Sequence, residues 1–253
     1  MDNSILNMIN CPTVLSGMSH EMRTQMNSIV AFSFLMNNES CNDDDRKQFS
    51  NHIMSSCEKL MVLFDNFLDS AIIDTGNSKA EPISCNLGNL MNNLLSEFRV
   101  IMKREDLNDL VLIQENQGSR NSDVYIDPNS ISRVLRNLFQ IAVSNTASGY
   151  IKVGYYFRDG NATFYTLDSG NGFEKCRDFL DSDNLNEALG RHDDTYSAIN
   201  LILSRKLIVL MGGKIWIEKN GIAGTALYFS VPAREAETTN LSIHKYSNTR
   251  IAI

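Results

Sequence analysis

The sequence contains few prolines, cysteines and tryptophans, and it lacks the long apolar runs that are typical of membrane and secreted proteins. Its 253 residues include only four prolines, one tryptophan and five cysteines. No apolar run approaches the ~20 residues that span a bilayer, and residues 1–7 lack the basic start and apolar core of a signal peptide. We therefore predict no membrane-spanning segment and a cytoplasmic location, for either a soluble protein or a fragment of a longer chain.

Cysteines and basic residues are both too scattered to indicate a zinc site or a nucleic-acid interface. The cysteines are odd in number and form no C-x-x-C pair, so we predict reduced thiols and assign no metal ligands. The net charge is −7 and no cluster of lysines and arginines offsets it, which argues against nucleic acid as a partner. The remaining composition, 43% hydrophobic and 21% charged, is that of an ordinary globular protein.

Two long amphipathic helices are predicted in the first third of the chain. Pro12 suits the first turn of a helix because its φ is fixed. Apolar residues then recur at alternating steps of three and four, as in a coiled coil; they are Leu15, Met18, Met22, Ile29, Phe32 and Met36. After a turn at 37–42, three aspartates at 43–45 favour a second helix start. A second apolar stripe continues to about Asp74.

These helices predict a hairpin over residues 12–75 that needs a partner. Each apolar stripe is wider than a single facing helix can cover. Two hairpins side by side would form a four-helix bundle, so we predict a homodimer. A monomeric hairpin packed on a second domain is the alternative.

A mixed α/β domain is predicted after a short linker. Residues 76–82 are small and polar, which is typical of a linker. Strand and helix patterns then alternate through residues 83–232, although the polar stretch 169–194 is assigned no element. Residues 1–11 are interpreted as a lead-in. We expect the tail, residues 233–253, to be loose because it has no periodic apolar pattern.

The stretch from Ser16 to Thr24 carries the strongest indication of chemistry. It places His20 off the apolar stripe and facing solvent, with Glu21 beside it and Thr24 one turn later on the same face. An imidazole can accept a phosphoryl group as a nucleophile, a carboxylate can polarise it, and a hydroxyl can position a water. A solvated histidine beside an unrelated glutamate is the alternative that these residues alone leave open.

Residues Ser19-His-Glu-Met-Arg-Thr-Gln-Met-Asn27 resemble the H-box of sensor histidine kinases. Every position matches in type except Gln25, which stands where the family has proline. The resemblance implies an α + α/β fold, with a dimerising histidine-phosphotransfer hairpin followed by an ATPase-type α/β sandwich. It also implies that His20 is the phosphoacceptor and Glu21 its acid/base partner. Thr24 would help to dephosphorylate the receiver domain of a response regulator.

Later motifs resemble the nucleotide site of the same family. Asp168-Ser-Gly-Asn-Gly172 has the spacing of the G1 box, in which a carboxylate accepts a hydrogen bond from the adenine amine and glycines let a ligand approach. Gly221-Ile-Ala-Gly-Thr225 resembles the G2 box, and Leu207-Ile-Val-Leu-Met-Gly-Gly-Lys-Ile-Trp-Ile217 resembles the conserved segment before the last hairpin. The resemblance assigns cofactor binding to Asn137, Asp168, Gly170, Gly172, Gly224 and Thr225.

The departures from the family pattern lie where ATP phosphates and Mg²⁺ would bind. In the N-box, which begins at Asn137, Ile141 replaces the Mg²⁺-coordinating asparagine and Ser144 replaces a lysine. Mg²⁺ requires oxygen ligands, which isoleucine lacks. The phosphate-cradling glycines align with Ala198 and Asn200, whose side chains would crowd the backbone donors. We therefore predict that ATP and Mg²⁺ bind weakly or not at all, while adenine recognition survives.

The resemblance leaves functions of different classes open. A phosphotransfer protein of a two-component phosphorelay would exchange phosphate between His20 and a response-regulator aspartate, with its own kinase activity impaired. Another histidine kinase would then be a further partner. The alternatives are a fully active ATP-dependent sensor histidine kinase, or a scaffolding pseudokinase dimer without phosphotransfer.

Overall fold

The computed structural model describes residues 12–38, 41–76, 78–117, 123–181 and 194–235. Within these ranges the chain forms a helical hairpin followed by an α/β sandwich, which confirms the predicted fold class. None of the helices in these ranges is both long enough and apolar enough to cross a membrane. The predicted lead-in and all but the first three residues of the predicted tail lie outside the described residues.

The hairpin consists of helix α1 (Pro12–Met36) and helix α2 (Asp43–Asp74). Asn42 caps α2, because its side chain accepts a hydrogen bond from the backbone N–H of Asp45 at 2.8 Å. The predicted stripe of α1 faces α2, with Phe32 stacked on His52 at a ring distance of 4.5 Å. The repeating apolar pattern therefore positions the two helices against each other.

A second apolar stripe of the hairpin remains exposed. Its members on α1 recur every four residues, and Phe34 is 78% exposed. The stripe continues along α2 at steps of three, four and seven residues, which keep side chains on one face of a helix. It consists of Met26, Val30, Phe34, Met54, Met61, Phe64, Leu68 and Ile72. One hairpin thus covers only part of its own apolar surface.

The α/β domain comprises eight strands and four helices within the described ranges. The strands are β1 (Ile83–Cys85), β2 (Leu110–Gln117), β3 (Val124–Ile126), β4 (Gly149–Arg158), β5 (Asn161–Asp168), β6 (Lys214–Asn220), β7 (Gly224–Pro232) and β8 (Arg234–Glu235). The helices are α3 (Leu87–Arg104), α4 (Pro128–Asn145), α5 (Phe173–Asp181) and α6 (Thr195–Leu210).

The main sheet has the strand order β2-β4-β5-β7-β6. Strands β2 and β4 are parallel, and the other neighbours are antiparallel. A turn at Asp159 and Gly160, both with positive φ, joins β4 to β5. Helices α3, α4 and α6 pack on the sheet, and the stacked rings of Phe98 and Phe139 join α3 to α4 at 4.0 Å. A smaller sheet has the order β1-β3-β8.

Helix α6 is buried on nearly every side because it lies between the sandwich and the hairpin. Residues 197–204 are all buried, polar and apolar alike. Met18 of α1 and Leu63 of α2 belong to the same apolar core as α6. The hairpin and the α/β domain therefore share one continuous core.

Three elements were not predicted. Helix α5 lies within the stretch interpreted as polar, where Cys176, Phe179 and Leu180 turn inward at helical spacing among charged residues. Strands β1 and β8 are two or three residues long and both pair with β3. Such short segments become strands through pairing, since their own residue pattern is too brief to indicate one.

Candidate functional site

His20 lies on the exposed side of α1. The neighbouring Glu21 is half-buried, and its Oε1 accepts a hydrogen bond from Gln25 Nε2 at 2.7 Å. The Thr24 hydroxyl donates to the backbone carbonyl of His20 at 3.1 Å, so it is one turn from the histidine but engaged with the helix backbone. The histidine is thus open to a macromolecular partner, while its two neighbours hold local positions along the helix.

The beginning of α6 contacts α1 at Gly17, which lies one helical turn before His20. Gly17 of α1 faces Thr195, and a Cβ added at Gly17 would lie 2.5 Å from the Thr195 Cγ2. A larger residue at position 17 would require the Thr195 side chain to shift. This close approach brings the hairpin and the α/β domain together beside His20.

Asp168 ends strand β5 in a buried polar environment. Its Oδ1 accepts hydrogen bonds from the backbone N–H groups of Gly170 at 2.9 Å and Thr225 at 3.3 Å. Burial raises the pKa of Asp168 to about 6, although these two hydrogen bonds act in the opposite direction. The carboxylate is 2% exposed. Asp168 is therefore held in place by the backbone of both glycine motifs.

The glycines of these motifs fit closely against the protein itself. A Cβ at Gly170 would lie 2.1 Å from the backbone oxygen of Asn145, and one at Gly172 would lie 2.3 Å from the Asn145 Nδ2. A Cβ at Gly224 would lie 2.3 Å from the backbone oxygen of Asp168. Close packing within the chain therefore accounts for all three glycines without a ligand.

One buried hydroxyl in this region lacks an internal partner. The Oγ1 atom of Thr166, on the same strand as Asp168, has no hydrogen-bond partner among the described residues. The Thr225 hydroxyl, in contrast, acts on the Asp168 carboxylate and helps to lower its pKa. A buried hydroxyl without a partner, close to a buried carboxylate, fits a small polar group such as the edge of an adenine ring or a water.

Asn137 and Ile141 of the N-box face inward on α4. Asn137 Nδ2 donates to Ser204 Oγ of α6 at 3.3 Å, and Ile141 is 0% exposed. Ser144 is exposed, and its hydroxyl donates to the backbone oxygen of Ile141 at 2.9 Å. The structure thus brings Asp168, Gly170, Gly224 and Thr225 together, whereas the contact of Asn137 is with α6.

The residues aligned with the phosphate-cradling glycines are also buried. Ala198 and Asn200 lie within α6, and Asn200 Oδ1 accepts a hydrogen bond from Asn66 Nδ2 of the hairpin at 2.8 Å. No sequence pattern selects Asn66, because a single asparagine on a helix does not indicate its own burial. Buried side chains therefore fill the space at this part of α6 where the family's glycines would expose backbone N–H groups to a phosphate.

Comparison with known proteins agrees with the hairpin chemistry. Residues 13–76 match the model of the His Kinase A (phospho-acceptor) domain. The sensor protein EvgS of Escherichia coli K12 is 24% identical over 223 residues, which is 86% of this chain and 18% of EvgS. The chain thus spans about a fifth of that relative's length.

Two solved structures share the fold. The histidine kinase AdeS of Acinetobacter baumannii aligns with a TM-score of 0.59 at 16% identity, over 84% of this chain and 97% of AdeS. The histidine kinase ThkA, solved in complex with the response regulator TrrA, aligns with a TM-score of 0.54 at 20% identity, over 87% of this chain and 61% of ThkA. The matching phosphoacceptor domain, the similar sensor proteins and the shared fold together support the sensor histidine kinase family.

Proposed function

We propose that the chain is a phosphotransfer component of a two-component pathway whose own ATP-dependent kinase activity is impaired. His20 accepts a phosphoryl group and exchanges it with the aspartate of a response-regulator receiver domain. The observation that carries the proposal is the exposed His20 on a helix of the phosphoacceptor domain. The complex of ThkA with TrrA supports a response regulator as the partner.

The roles of the residues around His20 follow from their chemistry. Glu21 is the acid/base partner of the imidazole, and its hydrogen bond to Gln25 fixes the carboxylate beside it. Thr24 assists dephosphorylation of the receiver domain, for which its hydroxyl must leave the His20 carbonyl and face the incoming aspartyl phosphate. A hydrogen bond of an exposed hydroxyl is worth only ~1 kcal/mol net, so this rearrangement is accessible.

The residues at the metal and phosphate end do not fit Mg-ATP. Ile141 is fully buried and offers no oxygen to a hard cation. Ala198 and Asn200 lie inside α6, where the backbone N–H groups of a helix interior are used by the helix itself. We therefore derive no phosphoryl transfer from ATP through this site, and expect another histidine kinase to supply the phosphate.

The adenine end is better preserved, and this favours a second candidate function. Asp168 accepts two backbone hydrogen bonds, and the hydroxyl of Thr166 on the same strand is buried without a partner among the described residues. A carboxylate and a hydroxyl so placed suit an adenine base. A fully active sensor histidine kinase would use these residues together with Gly170, Gly172 and Gly224. A scaffolding pseudokinase dimer would use none of them for chemistry.

A homodimer is part of the proposal. The exposed stripe that includes Val30 and Phe34 on α1 and Phe64 on α2 is long and apolar. Two hairpins that pair through this stripe would form the four-helix bundle. The hydrophobic effect favours this pairing because it removes the whole stripe from water.

Titration calorimetry with ATP, with and without Mg²⁺, tests the impaired activity. We expect ATP and adenosine to bind about equally weakly and without Mg²⁺ dependence. Each missing charge-assisted contact costs ~1.5–3 kcal/mol, and ~1.4 kcal/mol is a tenfold loss of affinity. Low-micromolar binding that requires Mg²⁺, with phosphate appearing on His20 from ATP alone, would restore the active kinase.

A further inference from the structure

We infer that helix α6 acts as a docking element that holds the α/β domain on the hairpin in one orientation, through a buried hydrogen bond between Asn66 and Asn200. Asn66 belongs to α2 and Asn200 to α6, and the two amides are 134 residues apart in the chain. Asn66 Nδ2 donates to Asn200 Oδ1 at 2.8 Å. Both side chains are buried, at 5% and 0% exposure. We name this contact the amide lock.

The amide lock lies within an apolar interface. Met18 and Leu63 of the hairpin are buried in the core that includes Ile199 and Leu203 of α6. Apolar burial is not directional, so it favours contact between the two units without selecting one orientation. A hydrogen bond between two buried amides is directional, because any other packing leaves both amides unpaired. The amide lock therefore selects the orientation that the apolar surface stabilises.

Polar pairs at the edge of the interface agree with the same orientation. Arg104 of α3 forms a two-pronged ion pair with Glu58 of α2. Arg133 of α4 pairs with Asp69 of α2. The Ser55 hydroxyl of α2 donates to Glu105 at 2.8 Å, at the end of α3. These contacts lie on two elements of the α/β domain, the C-terminal end of α3 and helix α4, so they form together only when the domain is docked in this way.

The Asn200 side chain also interacts within its own helix. Tyr196 lies one turn before Asn200 on α6, and a hydrogen bond from the Asn200 side chain acts on its hydroxyl. The amide of Asn200 therefore contacts both Asn66 of the hairpin and Tyr196 of α6, which links the amide lock to the beginning of α6.

The inference deepens the proposed function, because Asn200 stands where the resemblance places a phosphate-binding glycine. The inference rests on the proposed function only where it interprets Asn200 as the replacement of a phosphate-binding glycine. The contacts of Asn66 and Asn200 with each other do not depend on a nucleotide. On this view, the helix position that the resemblance assigns to phosphate binding carries an interdomain contact instead. The docked orientation would also fix the beginning of α6 beside Gly17, one turn from His20.

Hydrogen–deuterium exchange of the full chain without nucleotide tests the amide lock. Asn66→Leu and Asn200→Leu each leave one buried amide unpaired, so exchange in α6 and the second half of α2 should rise roughly tenfold, which corresponds to ~1.4 kcal/mol. The double variant Asn66→Leu with Asn200→Leu should return exchange close to the original rate, because two apolar side chains replace the pair. Peptides from the central strand β5 serve as the internal reference.

Asn51→Leu is the matched control, because Asn51 is an exposed asparagine of α2. It should leave exchange in α6 unchanged. Single variants that exchange like the original chain overturn the inference, as does a double variant loosened by the sum of the two single effects. If one single variant does not fold, the other single variant and the double variant supply the comparison, and a double variant that does not fold also overturns it.

The proposed function and this inference fail separately. Exchange is measured without nucleotide, so tight Mg-ATP binding would contradict the impaired activity and leave the amide-lock comparison intact. Conversely, unchanged exchange in the Leu variants would remove the amide lock while weak ATP binding still supported the proposed function.

Discussion

The hairpin and the α/β domain use the residues of their family motifs in different ways. On the hairpin, His20 and Thr24 are exposed on α1, where they are accessible to a partner protein. In the α/β domain, Asn137, Ile141 and Asn200 are buried and packed against other elements of the same chain. The first set faces solvent, and the second is packed inside the fold.

This difference shows what burial does to a functional motif. An exposed helical residue has few neighbours, so its chemistry can be retained or lost with little effect on packing. A buried residue must fit its neighbours, so a replacement such as Ile141 or Asn200 becomes part of the core or of an interface. Departures from a family motif are therefore most informative when their burial is known.

Replacing the exposed histidine should have the largest effect on the proposed chemistry of the hairpin. His20→Gln should abolish acid-labile phosphate on the chain, because glutamine is not a nucleophile towards phosphate. The label should be measured with Mg-ATP alone and with a phosphorylated partner kinase present.

His52→Gln is the matched control for this variant. His52 is also exposed on the hairpin, but its ring stacks on Phe32 at 4.5 Å. The control should keep its phosphate. A His20→Gln chain that is still labelled would refute the assignment of the phosphoacceptor.

Charges in the exposed stripe should dissociate the proposed dimer. Val30→Asp with Phe64→Asp would bury unpaired carboxylates in the bundle, at ~3 kcal/mol or more each. The dimer dissociation constant should rise by roughly a thousandfold or more. Light scattering at micromolar concentration checks it.

Ile222→Asp provides the comparison for the dimer test, because Ile222 is fully exposed at the turn between β6 and β7. This variant should remain a dimer. An original chain that is monomeric at every micromolar concentration would exclude the dimer itself.

Ile141→Asn tests the buried motif of the α/β domain, because it places the asparagine of the family's N-box in this apolar core. Because Ile141 is fully buried, the amide loses apolar contacts and gains no assured partner. We expect unfolding to become easier by ~2–4 kcal/mol, measured by urea denaturation. Ser144→Asn, at an exposed position of the same helix, should change the midpoint little. An Ile141→Asn chain of unchanged stability would show that position 141 is open to ligand.

Asp168 gives the smallest expected effect, a dependence of stability on pH. Burial raises the pKa of Asp168 to about 6 in the folded chain, from an ordinary value of 3.8. As pH rises, the unfolded chain loses this proton first, so stability falls between about pH 4 and pH 6. At 1.36 kcal/mol per pKa unit, the fall is roughly 2–3 kcal/mol.

Asp168→Asn should lack this fall in stability. Urea midpoints of the original and variant chains, compared at pH 4, 5, 6 and 7, isolate the contribution from that of other carboxyls. Asp181→Asn, at an exposed position, should follow the original chain. Parallel pH profiles for the original chain and Asp168→Asn would contradict the raised pKa of the buried Asp168 carboxyl.

Local sequence patterns predicted the elements that have a long repeat. The stripe through Met18, Met22 and Phe32 predicted the hairpin and the exposure of His20. Strands β1 and β8 were missed because their hydrogen bonds are made with β3, far along the chain. Helix α5 was missed because three apolar residues among many charged ones form too weak a pattern.

The sequence by itself determined which residue types this protein offers to chemistry. Three features can be identified without a structure: the order of His20 and Glu21, the glycines after Asp168, and the isoleucine at position 141 where the family has asparagine. They can be identified from the sequence because local spacing sets which side chains share a helix face or follow a strand.

Only the tertiary structure decided what several of these residues do in the folded chain. Asn66 and Asn200 meet across 134 residues, and Asn137 reaches Ser204 across 67. Such contacts depend on how helices pack, which is set by the summed burial of the whole core and not by any local pattern. For this reason the inward orientation of Ile141 and the position of α6 between the two units emerged only from the folded chain.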